Sequence, residues 1–534
     1  MIKNVMLLFG LTFTLVVNGQ VGLDENIRKR SEALSSGFEV FVVEEKLHCV
    51  KLLPEFYQLR LFKPAWDNHD IKTFISILDK ADEEGLNQED YHFKSIQYFL
   101  NRNNTSEEKA ELDMLLTDAF LLYASHFLNG KVNPETVDSE WKAVRREGNA
   151  REFMEKALSE NNIANALQNL LPGHIGYNGL KESLKRYKEI AENGGWASIP
   201  AGETIKPGMT DSIRIPLLIK RLIVTNDLTS TPDDQYTYSE TIQQAVTNYQ
   251  TRNGLESDGN LGKLTVASLN TPVGDLIDQI KINMERYRWI SQDLGDHYVI
   301  VNIADYRMEV YKNNQMTFNQ KVIVGKPFRK TPVFSSKMTY FVLNPYWTVP
   351  PTILFNDILP ELQKNSGYLA TKNIRLFQGQ GSSSTEVDPL TVNWSNLSKN
   401  NFPYTLRQDP GATNALGIVK FMFPNKYNIY IHDTPSKELF NRQDRAFSSG
   451  CIRLNKPMEF ANYLIQNEPG WNTERMTTAL NTGKEQTIIL TKPLNVHILY
   501  LTTWWQDGMV HFRKDLYNRD QAVLSALNEP TPIL

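Results

Sequence analysis

The sequence predicts a multidomain α+β protein. A helical first part and a small helical module precede a mostly β domain, sandwich- or barrel-like, that is interrupted by a lid insertion. Three observations predict this. The chain has 534 residues, room for three or four domains. Apolar residues recur at helical spacing up to about residue 290 and at period two beyond it. The β pattern then breaks between Pro350 and about Ala415 and resumes. A hydrophobic content of 41% and a charged content of 22% are ordinary for globular protein, and a net charge of −4 gives no reason to expect nucleic acid as a partner.

Residues 1–19 read as a secretory signal: Lys3 supplies positive charge, Met6 to Val17 an apolar core, and Val17-Asn18-Gly19 small residues for cleavage before Gln20. An uncleaved anchor is the alternative, for which the run is short. No Cys follows the apolar core closely, which speaks against lipid attachment, and no later stretch is long and apolar enough to cross a bilayer. Residues 20–204 form a helical domain. An amphipathic run with Ile75, Leu78 and Ala81 stops at Gly85-Leu86, Asn87 to His92 reads as a loop, and a helix spans Leu112 to Leu128 before Gly130 caps it. His92 and His126 are read as structural. Residues 205–272 form the module. Thr237-x-x-Glu240 is a capping box, Ile242, Ala245, Val246 and Tyr249 line one helix stripe ending at Gly254, and Leu264 to Leu269 starts a second helix.

Residues 273–294 carry a connecting helix, Leu276 to Ile290. The β domain covers 295–515. Its strands are expected at His297–Ile303, Arg307–Tyr311, Thr317–Gly325 and Met338–Asn344, a sequential antiparallel meander, and again at Ile418–Phe423, Asn428–His432, Thr487–Leu490 and Val496–Leu501. A helix is expected at Pro457–Ile465, and a turn at Trp504 to Gly508. The insertion, 350–415, reads as a long irregular segment with a helix at Thr352 to Leu362 and a polar stretch, Gln378 to Ser384, and a segment of this kind beside a site is often a lid. Tyr346 and Trp347 at its base are candidate pocket walls, or core. Residues 516–534 read as a tail.

The candidate chemistry lies in two short stretches, Ile429-Tyr430-Ile431-His432-Asp433-Thr434-Pro435 and Phe447-Ser448-Ser449-Gly450-Cys451-Ile452-Arg453-Leu454. A neighbouring imidazole can take the proton of a thiol and leave a nucleophilic thiolate–imidazolium pair. Period two on the strand sends Ile429 and Ile431 to the core and Tyr430 and His432 together to the other face. Gly450 permits a tight backbone beside Cys451, where N–H groups can hold an oxyanion. The planar fork of Arg453 suits a carboxylate. A lone Cys is more often a small buried hydrophobe and a lone His a satisfied structural residue; the grouping of these residues is what favours a nucleophile. The other cysteine, Cys49, is given a packing role. The two could pair in an oxidising compartment, but a permanent disulfide would abolish nucleophilicity.

At these residues the chain resembles the L,D-transpeptidase catalytic domain family, whose signature is a His followed by Ser-(His/Ser)-Gly-Cys-(Ile/Val)-Arg. Here it stands as His432 and Ser448-Ser449-Gly450-Cys451-Ile452-Arg453, with Ser449 where many members carry His. Gly417 to Asn425 and His432 to Pro435 resemble the large Gram-negative subgroup with a scaffold, a peptidoglycan-binding module and a capped catalytic domain. The run Ala245 to Thr265 resembles that binding module, and the insertion sits where that subgroup carries its cap. The resemblance implies a periplasmic enzyme acting on peptidoglycan stem peptides. Cys451 would attack a tetrapeptide donor at its third residue, a diamino acid, and release D-Ala. The thioester would then pass to the diamino-acid amine of a second stem, giving a 3–3 cross-link. His432 would be the general base, oriented by a carbonyl near Ser448 or Ser449. Gly450 and Cys451 would hold the oxyanion, Arg453 would position substrate or brace the loop, and Tyr430 would contact the donor. The resemblance further implies carbapenem acylation of Cys451 and no cofactor; the 205–272 module is either a glycan-strand contact or a spacer between domains, and other cell-wall synthases are candidate partners. No metal is expected either, since the nine His show no His-x-x-x-His or His-x-His spacing. The rival readings are an L,D-carboxypeptidase, a sortase-like transpeptidase, and a non-catalytic cell-wall-binding protein.

Overall fold

The computed structural model describes residues 22–43, 45–142, 146, 148–379 and 383–533. The expected signal, 1–19, and the Gln380-Gly381-Ser382 part of the insertion lie outside the described residues. A helical first part is followed by a mostly β domain, the order that the change of period predicts.

The long helix of the first part, α1 (Ser106–Asn129), starts six residues earlier than its apolar stripe predicts, because Thr105 and Glu108 form a capping box at its start. Gly130, at φ +81, ends it. The Asn87–His92 segment holds a short 3-10 helix, Gln88–Tyr91, in place of a plain loop. α1 presents Asp118, fully buried, to the N–H groups of His48 and Cys49 and to His92 Nε2 at 2.8 Å. Tyr91 bonds His126 at 2.9 Å, so both histidines are built into this interior.

The 205–272 segment has its own apolar core, which includes Ile215, Leu222, Tyr238, Ile242 and Leu269. Its first predicted helix, α2 (Glu240–Arg252), is capped by Ser239 and not by Thr237. Ser239 is extended and its hydroxyl accepts from Ile242 N–H, whereas Thr237 bridges Thr210. α3 (Lys263–Leu269) follows.

α4 (Val273–Trp289) is more than a connector. Every residue from Ile282 to Trp289 is buried. Arg288 pairs with Glu285 and bonds the Tyr177 hydroxyl, each at 2.8 Å. Arg286 pairs with Asp520 at 2.6 Å. Asp520 opens a helix, Asp520–Asn528, which buries Val523 and Leu527, so the expected tail is a packed element. Its apolar face is too short to announce itself in sequence; contact with α4 stabilises it.

The β domain is a closed barrel. β1 (His297–Asn302), β2 (Arg307–Lys312) and β3 (Gln315–Gly325) form the expected meander, with Asn313 and Asn314 at positive φ in the second turn. β4 (Phe334–Leu343) leaves that order. The other strands are β5 (Val419–Met422), β6 (Ile431–His432), β7 (Ala446–Ser448), β8 (Ile452–Leu454) and β9 (Gln486–Leu499). The ring runs β2-β3-β8-β6-β5-β4-β9-β1 and closes on β2, with β7 added to β3. Three pairs are parallel, β6 with β8, β7 with β3 and β9 with β1, so the sheet is mixed and not sequentially antiparallel. β9 is one strand where two are expected. A register shift between Ile489 and Leu494 carries it across the polar interruption. Trp504 to Gly508 belongs to a hairpin, Thr503–Gln506 with Met509–Phe512.

The insertion is not irregular. Four short strands, Trp347–Thr348, Arg375–Gln378, Thr385–Val387 and Tyr404–Gln408, form a separate sheet. Leu362, Leu369, Leu376, Trp394 and Leu406 give it a core of its own. Its helical segment, 351–362, contains a π turn at Leu354–Ile358.

Candidate active site

The site is built on the parallel pair β6–β8, in register Ile431 to Ile452 and His432 to Arg453. Ile431 and Ile452 are fully buried in the barrel. Alternation therefore turns Tyr430, His432, Cys451 and Arg453 to the opposite face. The Ile452 N–H donates to the Tyr430 carbonyl at 3.1 Å and fixes the two chains beside each other. The strand expected over Asn428–His432 is only Ile431–His432. Asn428 sits at φ +54, and the Asn425 side chain accepts from Tyr427 and Ile429 N–H, a turn that consumes the first half. The alternation of faces survives it, and the Tyr430 and His432 rings lie 5.6 Å apart.

Gly450 has φ +116, a conformation that a side chain disfavours. Its N–H donates to the Ser448 hydroxyl at 3.1 Å, so in this state Gly450 is engaged and not a free oxyanion donor. Its carbonyl accepts from Thr331 at 2.8 Å. Ser449 is exposed, and its hydroxyl accepts from Arg329 at 3.0 Å.

His432 is buried. Its Nδ1 donates to the Asp433 carbonyl, which leaves the lone pair on Nε2. The orienting carbonyl is thus that of the next residue, not of Ser448 or Ser449. Asp433 is itself held: its carboxylate accepts from Ile418 N–H at 2.9 Å and pairs with Lys437. Gly417, at φ +60, lies so close that a Cβ would overlap that carboxylate. Burial first, then the Arg453 charge, lowers the His432 imidazole to about 3. Burial likewise pushes the Cys451 thiol up to about 11, against opposing pulls from the Tyr430 backbone and hydroxyl and from Arg453. The thiol donates to the Asn428 carbonyl at 3.7 Å. Among the described residues no hydrogen bond joins Cys451 to His432. Both shifts favour a neutral thiol beside a neutral imidazole over a thiolate–imidazolium pair.

Arg453 is partly exposed, and its Nε is buried without a partner. No carboxylate among the described residues forms an ion pair with it, although its charge is felt at both His432 and Cys451. Tyr346 and Trp347 make no hydrogen bond or ring contact with Cys451, His432 or Arg453 among the described residues. Tyr346 is exposed with the Arg407 guanidinium 4.7 Å over its ring, and Trp347 pairs with Gln408 and packs on the insertion's core. Sequence reasoning missed Asp433, Lys437, Arg329 and Thr331; of these only Asp433, beside His432, lay within a phrase that drew attention. Both cysteines are free.

Residues 296–471, which include the whole β6–β8 pair, match the L,D-transpeptidase catalytic domain family, and residues 51–184 match the scaffold domain family. The chain therefore carries an L,D-transpeptidase catalytic domain behind a scaffold domain. A Haemophilus influenzae protein named "Putative L,D-transpeptidase" is 32% identical over 274 residues, 50% of this chain and 54% of its own length. The chain thus spans about half the length of that curated relative. Among solved structures, an L,D-transpeptidase from Xylanimonas cellulosilytica is 15% identical, covering 56% of this chain and 99% of that one, at a TM-score of 0.18. One from Stackebrandtia nassauensis is 12% identical, covering 56% and 97%, at a TM-score of 0.21.

Proposed function

We propose that the chain is a periplasmic cysteine L,D-transpeptidase that joins peptidoglycan stem peptides by 3–3 cross-links. The observation that carries this reading is the shared face of Cys451, His432 and Arg453 inside the matched catalytic domain.

The electrostatics of the site favour one order of steps. With the thiol near 11 and the imidazole near 3, proton transfer from one to the other is uphill. Burial is the main reason at both groups; the Arg453 charge adds to it at His432 and opposes it at Cys451. A stem-peptide carboxylate seated on the Arg453 fork would neutralise that charge and let the imidazolium form. His432 Nε2 then takes the thiol proton as Cys451 attacks the carbonyl carbon of the donor's third residue. The tetrahedral oxyanion collapses, its C–N bond to D-Ala breaks, and the imidazolium gives its proton to the leaving amine. The thioester is next attacked by the side-chain amine of an acceptor diamino acid. His432 removes the amine proton and returns a proton to the thiolate. Tyr430, beside the thiol, steadies the sulfur charge. The 205–272 module would hold the glycan strand.

Incubation of the protein with a disaccharide tetrapeptide tests this. D-Ala release and a 3–3 dimer are expected, both absent in Cys451→Ala with the fold retained. D-Ala release without dimer points to a carboxypeptidase, and turnover by Cys451→Ala removes the nucleophile assignment.

A further inference from the structure

We infer that Arg329 is a positioning residue that couples the seat of the insertion to the nucleophile loop. This rests on the transpeptidase reading for its consequence in turnover, but not for its geometry.

The loop after β3 grips three successive residues of the nucleophile loop. Lys326 N–H donates to the Ser448 carbonyl at 3.0 Å, Arg329 to the Ser449 hydroxyl at 3.0 Å, and Thr331 to the Gly450 carbonyl at 2.8 Å. Two of these contacts end inside the barrel domain. Arg329 alone reaches further. Its two terminal nitrogens bond both oxygens of Asp357, at 2.5 and 2.6 Å. Asp357 stands in the π turn of the insertion, a helical irregularity common at functional sites. One guanidinium thus joins the insertion to the residue two before Cys451. The fork geometry is the charge-assisted bidentate kind, the strongest available to such a pair. Asp357 is well exposed, so the contact is open to competition by salt or by a carboxylate ligand. Ser449 and Asp357 form no hydrogen bond with each other among the described residues, and Arg329 bonds both.

The test is a double-mutant cycle in the full chain, read by the alkylation rate of Cys451 with iodoacetamide, which needs no turnover. Asp357→Asn should speed alkylation about five- to tenfold by freeing one side of the link. Ser449→Ala should speed it less. The double variant should fall about threefold or more short of the product of the single effects, the mark of coupled residues. In an Arg329→Ala background both substitutions should become silent. If that variant fails to fold, Arg329→Lys, which keeps the charge and loses the fork, should shrink the coupling. Effects that multiply independently, or that persist without Arg329, overturn the inference. Retained coupling with no turnover of stem peptide would sink the transpeptidase reading alone.

Discussion

Two buried histidines in this chain titrate in opposite directions. His92, in the helical part, is pushed down by burial, but the hydrogen bonds it donates to Asp118 and Glu45 outweigh this and bring it up to about 9. His432, in the barrel, faces the same burial with Arg453 and Lys437 nearby and falls to about 3. Burial is common to both, so the neighbours decide the sign. A histidine between two carboxylates is a cation at neutral pH and a structural pin. A neutral histidine beside a guanidinium that forms no ion pair among the described residues can change its charge when a ligand anion arrives, as a general base must.

The largest expected effect breaks the comparison on the catalytic side. His432→Gln should lower kcat/KM by about 10²- to 10⁴-fold, the usual worth of a positioned general base, while the thermal midpoint moves little. The next breaks it on the structural side. His92→Gln leaves the buried Asp118 carboxylate without its cation and should cost about 3–5 kcal/mol of stability, with turnover by the remaining folded protein unchanged; denaturant melts check this.

The pH dependence sharpens the contrast. His92 has a folded value raised above the unfolded 6.5, so its stabilisation is full below about 6.5 and is lost as pH rises through about 9. His432 has a lowered value, so its contribution is full above about 6.5 and is lost as pH falls toward about 3. Stability of the wild type minus that of each variant, followed from pH 4 to pH 9.5, should slope in opposite directions. Parallel slopes would contradict the account. The smallest effect concerns the cap of α2. Ser239→Ala should cost about 0.5–1 kcal/mol and Thr237→Ala almost nothing, since only Ser239 reaches an unpaired helix N–H.

The site's faces were legible in the sequence because period two is local. Tyr430 and His432 share a face whether the strand is five residues long or two. The helices with broad apolar stripes, such as α1, were legible for the same reason. What required the fold was non-local. Strand pairing cannot be read from one strand, so the parallel partners β6 and β8 and the unbroken β9 emerged only in the barrel. The helix at Asp520–Asn528 exists because α4 receives it, and its sequence alone reads as a tail. The Thr237-x-x-Glu240 pattern satisfied the capping rule while Ser239 held the geometry. Arg329 lies 120 positions from Ser449, and no local signal ties the two. The carbonyl behind His432 was its own neighbour's, a contact that spacing does not reveal.

The central claim is that Cys451 carries the acyl group. Intact mass after rapid quenching with a tetrapeptide donor and no acceptor tests it most directly. The account predicts an adduct of the donor less D-Ala, mapped to the Cys451 peptide and released by hydroxylamine. An adduct on another residue, or one that persists in Cys451→Ala, would contradict it.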